Sequence, residues 1–300
     1  MHTISLSNKV VVPLLGFGTW RLETNEAKQA VYTAIKVGYR HIDCASVYEN
    51  QKEVGEGIAA AIKDGLVARE DLFITSKLWN NDHAPQDART ALQHTLTDLQ
   101  LEYLDLYLVH WAVAFEHGDE LEPLDANGVA RFASVPLQET WRVMEDFVEQ
   151  GLVRSIGVAN YSAVLLLDLF TYATIKPVMN QIEVHPYHAQ NELIAFCSQN
   201  GIAVTAYSPL SSSDTPVLAD PTIRSIAQQH GKTPAQIVLR WAYQRGTPAI
   251  PKAASVEHMT GNFSITDFEL RKDDMQRLAA LDRRLITCNP IEWWGFPYFS

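Results

Sequence analysis

The sequence predicts an α/β protein closed into a (β/α)8 TIM barrel, and three observations predict it. Short apolar runs alternate with segments of helical period eight times along the chain. No shift of composition and no low-complexity linker separates those units. The length of 300 residues suits one barrel domain spanning residues 1–300. Alternating strand and helix builds a parallel sheet with helices on its face, and eight uninterrupted units favour closure over an open sheet.

Strands are expected at 14–18, 41–43, 73–78, 104–109, 155–158, 178–182, 203–207 and 249–251. Each is a short apolar run between polar segments, as a strand covered on both faces should be. Helices are expected at 26–37, 52–62, 85–99, 137–150, 163–172, 192–200, 221–230 and 255–263. In these the apolar residues return every three or four positions. Two further helical stretches, 234–244 and 272–281, lie outside the repeat. Thr233-Pro234 reads as an N-cap followed by proline in the first helical position. The longest irregular insert, 112–135, follows the fourth strand, and so long a loop in a compact domain usually serves function. The tail 282–300 carries Trp293, Trp294, Phe296, Tyr298 and Phe299. It is too apolar for a solvated extension and is expected to fold back over the barrel mouth.

Composition excludes several partners. Twenty-four Lys and Arg against thirty-five Asp and Glu give a net charge of −11. That field repels phosphate backbones and anionic lipid, so neither nucleic acid nor a membrane surface is an expected partner. An anionic cofactor must then be held by a local basic patch. The three cysteines (Cys44, Cys197, Cys288) form no CxxC and no even framework, which points to a reducing compartment. Residues 1–8 are polar and lack the apolar core of a secretory signal. No uncharged apolar run reaches the roughly 18 residues of a membrane span. A cytoplasmic protein is expected, with monomer and homodimer both open.

In a parallel barrel the active site forms where the strands end. The second strand ends in Asp43, with Tyr48 in the following loop. The third contains Lys77, and the fourth ends in His110-Trp111. Singly, each residue type has an ordinary role as cap, packing residue or hydrogen-bonded core. Jointly they bring an acid, a phenol, an amine and an imidazole to one mouth. Lys77 is the most telling, because an unpaired ammonium in an apolar strand costs several kcal/mol or more, and Asp43 is the obvious partner. These four groups suit proton donation to a carbonyl oxygen. A phenol with an ordinary pKa near ~10 is a poor acid at neutrality, and a nearby ammonium should lower that value.

In order, spacing and context, Asp43, Tyr48, Lys77 and His110 resemble the catalytic tetrad of the aldo-keto reductase superfamily. The surrounding strings agree: 15–20 (LGFGTW), 38–43 (GYRHID), 50–55 (NQKEVG), 151–160 (GLVRSIGVAN), 180–183 (NQIE) and 185–187 (HPY). The resemblance runs from about residue 10 to the C-terminus. It implies a barrel with an N-terminal hairpin, Tyr48 as general acid, Lys77 and Asp43 tuning it, and His110 orienting the substrate carbonyl. It further implies an extended nicotinamide cofactor, NADPH with NADH also possible. Asn160 and Gln181 would hold its carboxamide and Tyr207 would stack on its ring. Thr19 and Trp20 would flank it, Ser208 and Leu210 would meet the pyrophosphate, and Lys252, Ser255, His258 and Asn262 the adenosine phosphate. Gly16-Phe17-Gly18 lacks the third glycine of a dinucleotide fingerprint and is set aside as a phosphate loop. Trp20, Trp79, Trp111, Trp293 and Trp294 are expected to line the substrate pocket.

The departures are informative. His258 stands where NADPH-specific relatives usually have arginine, Ala253 where they have serine, and Gly261 where they often have glutamate. An imidazole clamps a 2′-phosphate less firmly than a guanidinium, so a reduced preference for NADPH is expected. The segment 211–216 is shorter than the loop many relatives fold over the pyrophosphate, so cofactor release should be comparatively fast. The tail 289–299, the string Ile175-Lys176-Pro177 and the insert near 119–133 resemble polyol-forming members. Those include xylose reductases and the plant reductases of mannose 6-phosphate and glucose 6-phosphate. In the sugar-phosphate enzymes a basic residue tends to follow the catalytic tyrosine. Here it is Glu49, which favours a neutral aldose or small aldehyde, with a sugar phosphate as the alternative. A non-enzymatic cofactor-binding relative is the alternative of another class, and the intact tetrad opposes it. His185 and His188 form an HxxH without a carboxylate cluster, so no metal is expected and both should have surface or supporting roles. Cys288, near the expected pocket, is read as an inert free thiol.

Overall fold

The computed structural model describes residues 2–211 and 216–299. Of the short segment 211–216 expected to cover the cofactor, residues 212–215 lie outside those described. Two strands, β1 (Thr3–Ser5) and β2 (Val11–Pro13), form an antiparallel hairpin. Seven parallel strands follow in sequence order: β3 (Phe17–Gly18), β4 (His41–Asp43), β5 (Phe73–Leu78), β6 (Leu106–Val109), β7 (Ile156–Ala159), β8 (Met179–Glu183) and β9 (Ala203–Tyr207). The first six intervals hold α1 (Thr24–Val37), α2 (Gln51–Lys63), α3 (Pro85–Leu99), α4 (Leu137–Glu149), α5 (Ala163–Tyr172) and α6 (Asn191–Gln199). After β9 come α7 (Pro221–His230), α8 (Pro234–Gln244), α9 (Val256–Phe263), α10 (Lys272–Ala279) and α11 (Pro290–Trp294).

The eighth stave is the segment expected at 249–251, too short to be a full strand. Ala249 bridges Leu15 on one side and Ala206 on the other, both parallel. Gly16 N–H donates to Ala249 O at 2.8 Å, Gly18 N–H to Pro251 O at 3.1 Å, and Ile250 N–H to Ala206 O at 3.1 Å. A closed ring of staves results, the (β/α)8 barrel. Gly18 is required at this seam: a Cβ there would lie 2.6 Å from Ile250 O, a backbone atom that cannot step aside.

Besides the tail helix α11, two helices exceed the eight of the repeat, but burial reverses one assignment. In α8, Ile237, Val238, Leu239, Trp241, Ala242 and Tyr243 are buried. In α7 only Ile223, Ile226 and Ala227 are. So α8 packs on the barrel and α7 is the addition, opposite to the reading in which 221–230 belonged to the repeat. The Thr233 cap is present, its hydroxyl accepting from Gln236 N–H.

The hairpin stoppers the N-terminal end. Leu6 and Val12 pack with Phe73, Leu106, Leu108, Val178 and Met179, several of them at strand starts. At the opposite end the tail folds back as expected. Trp294 sits in a cluster with Trp79, Trp111, Phe115 and Ala130. The insert 112–135 is less irregular than expected: Phe115 pairs with Phe132 and Leu124 with Ala130. Both insert and tail therefore converge on the mouth.

Candidate active site

Inward-facing positions alternate along a strand, so Asp43 on β4 and Lys77 on β5 both point into the barrel near its C-terminal end. Tyr48 follows in a 3-10 turn, Ser46–Tyr48, that begins just past β4. The Lys77 ammonium, with no exposed surface, donates to Asp43 Oδ1 at 2.6 Å, to Cys44 O at 2.8 Å and to Tyr48 Oη at 3.0 Å. Its three protons thus have three acceptors. Burial alone would strip Lys77 of its charge, but Asp43 and Tyr48 more than offset it and hold the amine above its ordinary value. The second Asp43 oxygen accepts from Gln181 Nε2 at 2.6 Å. Thr19 Oγ1 donates to the Asp43 carbonyl at 2.9 Å.

His110 joins them across the opening, its ring 6.0 Å from that of Tyr48 and 5.0 Å from that of Trp79. Burial, then the charge of Lys77, depress the His110 pKa well below its ordinary value, so the imidazole is neutral. Its Nδ1 is buried and has no hydrogen-bond partner among the described residues. The structure therefore brings the four residues together. It differs from expectation over Tyr48: burial raises the phenol to about 12, and the opposing pull of Lys77 only limits the rise. Tyr48 is a proton-loaded phenol, not one already poised to lose its proton.

Around this centre the other expected residues divide. Asn160 Nδ2 donates to His110 O at 3.0 Å, and Asn160 Oδ1 accepts from Tyr207 Oη at 2.7 Å. Asn160 adopts φ 63°, a left-handed conformation that asparagine tolerates better than most residues. Gln181, Asn160 and Tyr207 thus form one polar arc from Asp43 to His110. Ser208, also at positive φ (43°), and Leu210 are part-buried beside it. Lys252, Ser255 and His258 are exposed at the start of α9, where Ser255 Oγ caps the helix by accepting from His258 N–H at 3.1 Å. Asn262 is buried on the same helix.

Two of the expected residues are wholly buried. Thr19 has no exposed surface, and its hydroxyl supports Asp43. Trp294 is equally buried, and its indole N–H goes to Glu122 Oε1 at 3.0 Å. It is the keystone under Trp79, Trp111 and Phe115 and not a wall of the pocket. Trp79 and Trp111 keep only slivers of exposure, Trp293 is part-buried and Trp20 is exposed at 36%. His185 is fully buried and bonded to Glu183 at 2.9 Å, a supporting role, while His188 is part-buried. Among the described residues no cluster of three His, Cys, Asp or Glu could hold a metal. Nor is any helix among them long and apolar enough to cross a membrane. Burial pushes the Cys288 thiol up to about 11, away from reactivity.

Sequence reasoning gave no role to Glu183 or Tyr298. The Glu183 carboxylate accepts from the N–H groups of Thr287, at 2.9 Å, and Cys288, at 3.0 Å, and from the Thr287 hydroxyl. It pins the root of the tail beside Tyr207. The Tyr298 hydroxyl lies between Ala112 and Asn160. The signal for it was one hydroxylated ring among the tail's tryptophans and phenylalanines.

The geometry meets a clear relationship. Residues 14–283 match the model of the aldo/keto reductase family. The chain is 46% identical over 283 residues to aldo-keto reductase family 1 member A1 of Bos taurus, covering 91% of this chain and 87% of that protein. It is 45% identical over 295 residues to aldose reductase B of Dictyostelium discoideum, covering 96% and 95%. Among solved structures, the aldose reductase from Schistosoma japonicum superposes with a TM-score of 0.94 at 38% identity, covering 100% of this chain and 98% of the other. That from Giardia lamblia gives 0.92 at 43% identity, covering 95% and 98%. The chain belongs to the aldo/keto reductase family, a family of oxidoreductases.

Proposed function

We propose that this chain reduces the carbonyl of an aldehyde or a neutral aldose to the alcohol, with a nicotinamide cofactor, NADPH foremost, as hydride source. The observation that carries this reading is the Lys77 ammonium bonded at once to Asp43 and Tyr48, with a neutral His110 across the opening. Such a centre holds a proton ready and places a hydrogen-bonding imidazole beside it, which is what a carbonyl oxygen gaining negative charge requires.

The residues present suit a dinucleotide. An exposed lysine, the Ser255 hydroxyl and the N-terminal turn of α9 offer hydrogen-bond donors on an acidic protein. Lys252, Ser255, His258 and Asn262 would hold the adenosine phosphate, Ser208 and Leu210 the pyrophosphate. Trp20 and Tyr207 would hold the nicotinamide ring, and Asn160 and Gln181 its carboxamide. When bound, that group supplies a hydride to the carbonyl carbon. The protein's part is the proton. Tyr48 Oη transfers it to the substrate oxygen, and Lys77 stabilises the phenolate left behind. Asp43 keeps Lys77 charged and aimed, and His110 holds the oxygen in line. One hydride, carrying two electrons, adds to the carbon and one proton to the oxygen, so the C=O bond becomes CH–OH.

Glu49, exposed and next to Tyr48, opposes a phosphorylated sugar by charge. His258, exposed, supports a lowered preference for NADPH over NADH.

The test is oxidation of NADPH and of NADH, followed by nicotinamide absorbance, with xylose, glucose, mannose 6-phosphate and an aromatic aldehyde. Tyr48→Phe should lower turnover by at least about a hundredfold while cofactor still binds, the scale of losing a general acid. Turnover preserved in Tyr48→Phe would overturn the mechanism. A wild type that binds cofactor but reduces none of the carbonyl compounds would favour a binding protein. A preference for NADPH of several thousand-fold would overturn the role given to His258.

A further inference from the structure

The tail ends on a hydroxyl that does more than pack. Tyr298 Oη accepts from Ala112 N–H at 3.0 Å and donates to Asn160 O at 3.1 Å. Ala112 ends the segment His110-Trp111-Ala112, whose first residue accepts from the Asn160 amide at 3.0 Å. The Tyr298 ring also meets Trp111 edge-on, with centroids 5.0 Å apart at 88°. The segment carrying His110 is thus held at one end by the Asn160 side chain and at the other by Tyr298, which grips the Asn160 backbone as well.

We propose that Tyr298 is a positioning residue for carbonyl reduction: its hydroxyl ties the tail to Ala112 and Asn160 and so fixes the aim of His110. This rests on the function proposed above. The hydroxyl accepts one bond and donates another, and removing it leaves a part-buried N–H and a C=O without that bond. The segment then has one fixed end instead of two. Packing of the ring is untouched by Tyr298→Phe, so that variant isolates the hydroxyl.

The experiment measures kcat and KM for the carbonyl substrate and dissociation of NADPH by fluorescence, in the wild type, Tyr298→Phe, His110→Gln and the double variant. Backbone exchange at Ala112 is followed by hydrogen–deuterium exchange. Tyr298→Phe should lower kcat about tenfold, equal to one lost hydrogen bond, with KM changed much less. Exchange at Ala112 should rise. In the His110→Gln background the same substitution should have little further effect, because the group it aims is gone. Full additivity with His110→Gln overturns the inference, as does a kcat unchanged beside a mere loss of thermal stability. A wild type inert toward every carbonyl compound overturns the proposed function and this inference together, whereas an active wild type with an unaffected Tyr298→Phe overturns this inference alone.

Discussion

Lys77 is the residue on which the site's stability and its chemistry meet. Its ammonium and the Asp43 carboxylate are both buried, at 0% and 2% exposure of their side chains. A buried pair gives little net stability, but removing one partner leaves an uncompensated charge. Lys77→Met should therefore destabilise the fold by about 3–5 kcal/mol, measured by urea unfolding, and slow proton transfer by depriving the Tyr48 phenolate of its counter-ion. Asp43→Asn combined with Lys77→Met should cost clearly less than the two single losses added, by about 0.5–3 kcal/mol. Strict additivity would show that the pair is not coupled. At this scale the sequence was readable where a residue type was out of place: a lysine in an apolar strand and an acid at a strand end. It was not readable where a residue's partner lay far away in the chain. The bond of Gln181 to Asp43 spans 138 positions, and that of Trp294 to Glu122 spans 172. Nor could spacing show that burial would outweigh Lys77 at Tyr48.

Elements followed their periodicity closely. Strands β4, β5 and β9 and helices α3, α5, α7 and α8 take the bounds expected of them. Where reading fell short, pairing partners decided the outcome. The first stave shrinks to Phe17–Gly18 and the eighth to bridges at Ala249, because the seam needs only a few bonds to close. Periodicity could not rank α7 against α8, since both are amphipathic and only packing says which one the barrel covers. The tail's aromatics were legible as a fold-back but not as a hierarchy. Trp294 is fully buried in the short helix α11 and touches Trp79, Trp111 and Phe115. Trp294→Ala should destabilise by about 3–5 kcal/mol in urea unfolding and loosen both the tail and the insert 112–135. The exposed Trp20, changed to Ala, should leave unfolding nearly unaltered and act on ligand binding. Equal stability losses for the two variants would refute the distinction.

Over the whole molecule, the pattern of buried imidazoles sets how it meets acid. Burial depresses His41 and His83 to about 4, while His110 is driven well below its ordinary value by burial and by Lys77. A group whose folded pKa is depressed contributes stability that is present above its unfolded value and lost as pH falls. For all three the loss begins below about 6.5, the unfolded value, and for His41 and His83 it continues toward about 4. His188, also lowered by burial, adds to the effect, whereas the exposed His117, raised chiefly by its bond to the Asn81 carbonyl, opposes it. Glu183, Asp220 and Asp274 are held low against their own burial by hydrogen bonds, and their losses come later, below the ordinary carboxylate range. Near pH 5.5, then, unfolding should take up about three protons, and stability should fall by about 4 kcal/mol per pH unit. Urea unfolding from pH 7.5 to 5, with proton uptake read by calorimetry in two buffers, measures both. His83→Phe, which removes a buried ring with no hydrogen-bond partner among the described residues at either nitrogen, should reduce the uptake by about one proton and flatten the curve. A stability curve flat between pH 7 and 5 would mean that these rings take up protons as readily in the folded state as in the unfolded one. His110 would then lose the neutral form on which the carbonyl-orienting role depends as pH falls through about 6.5.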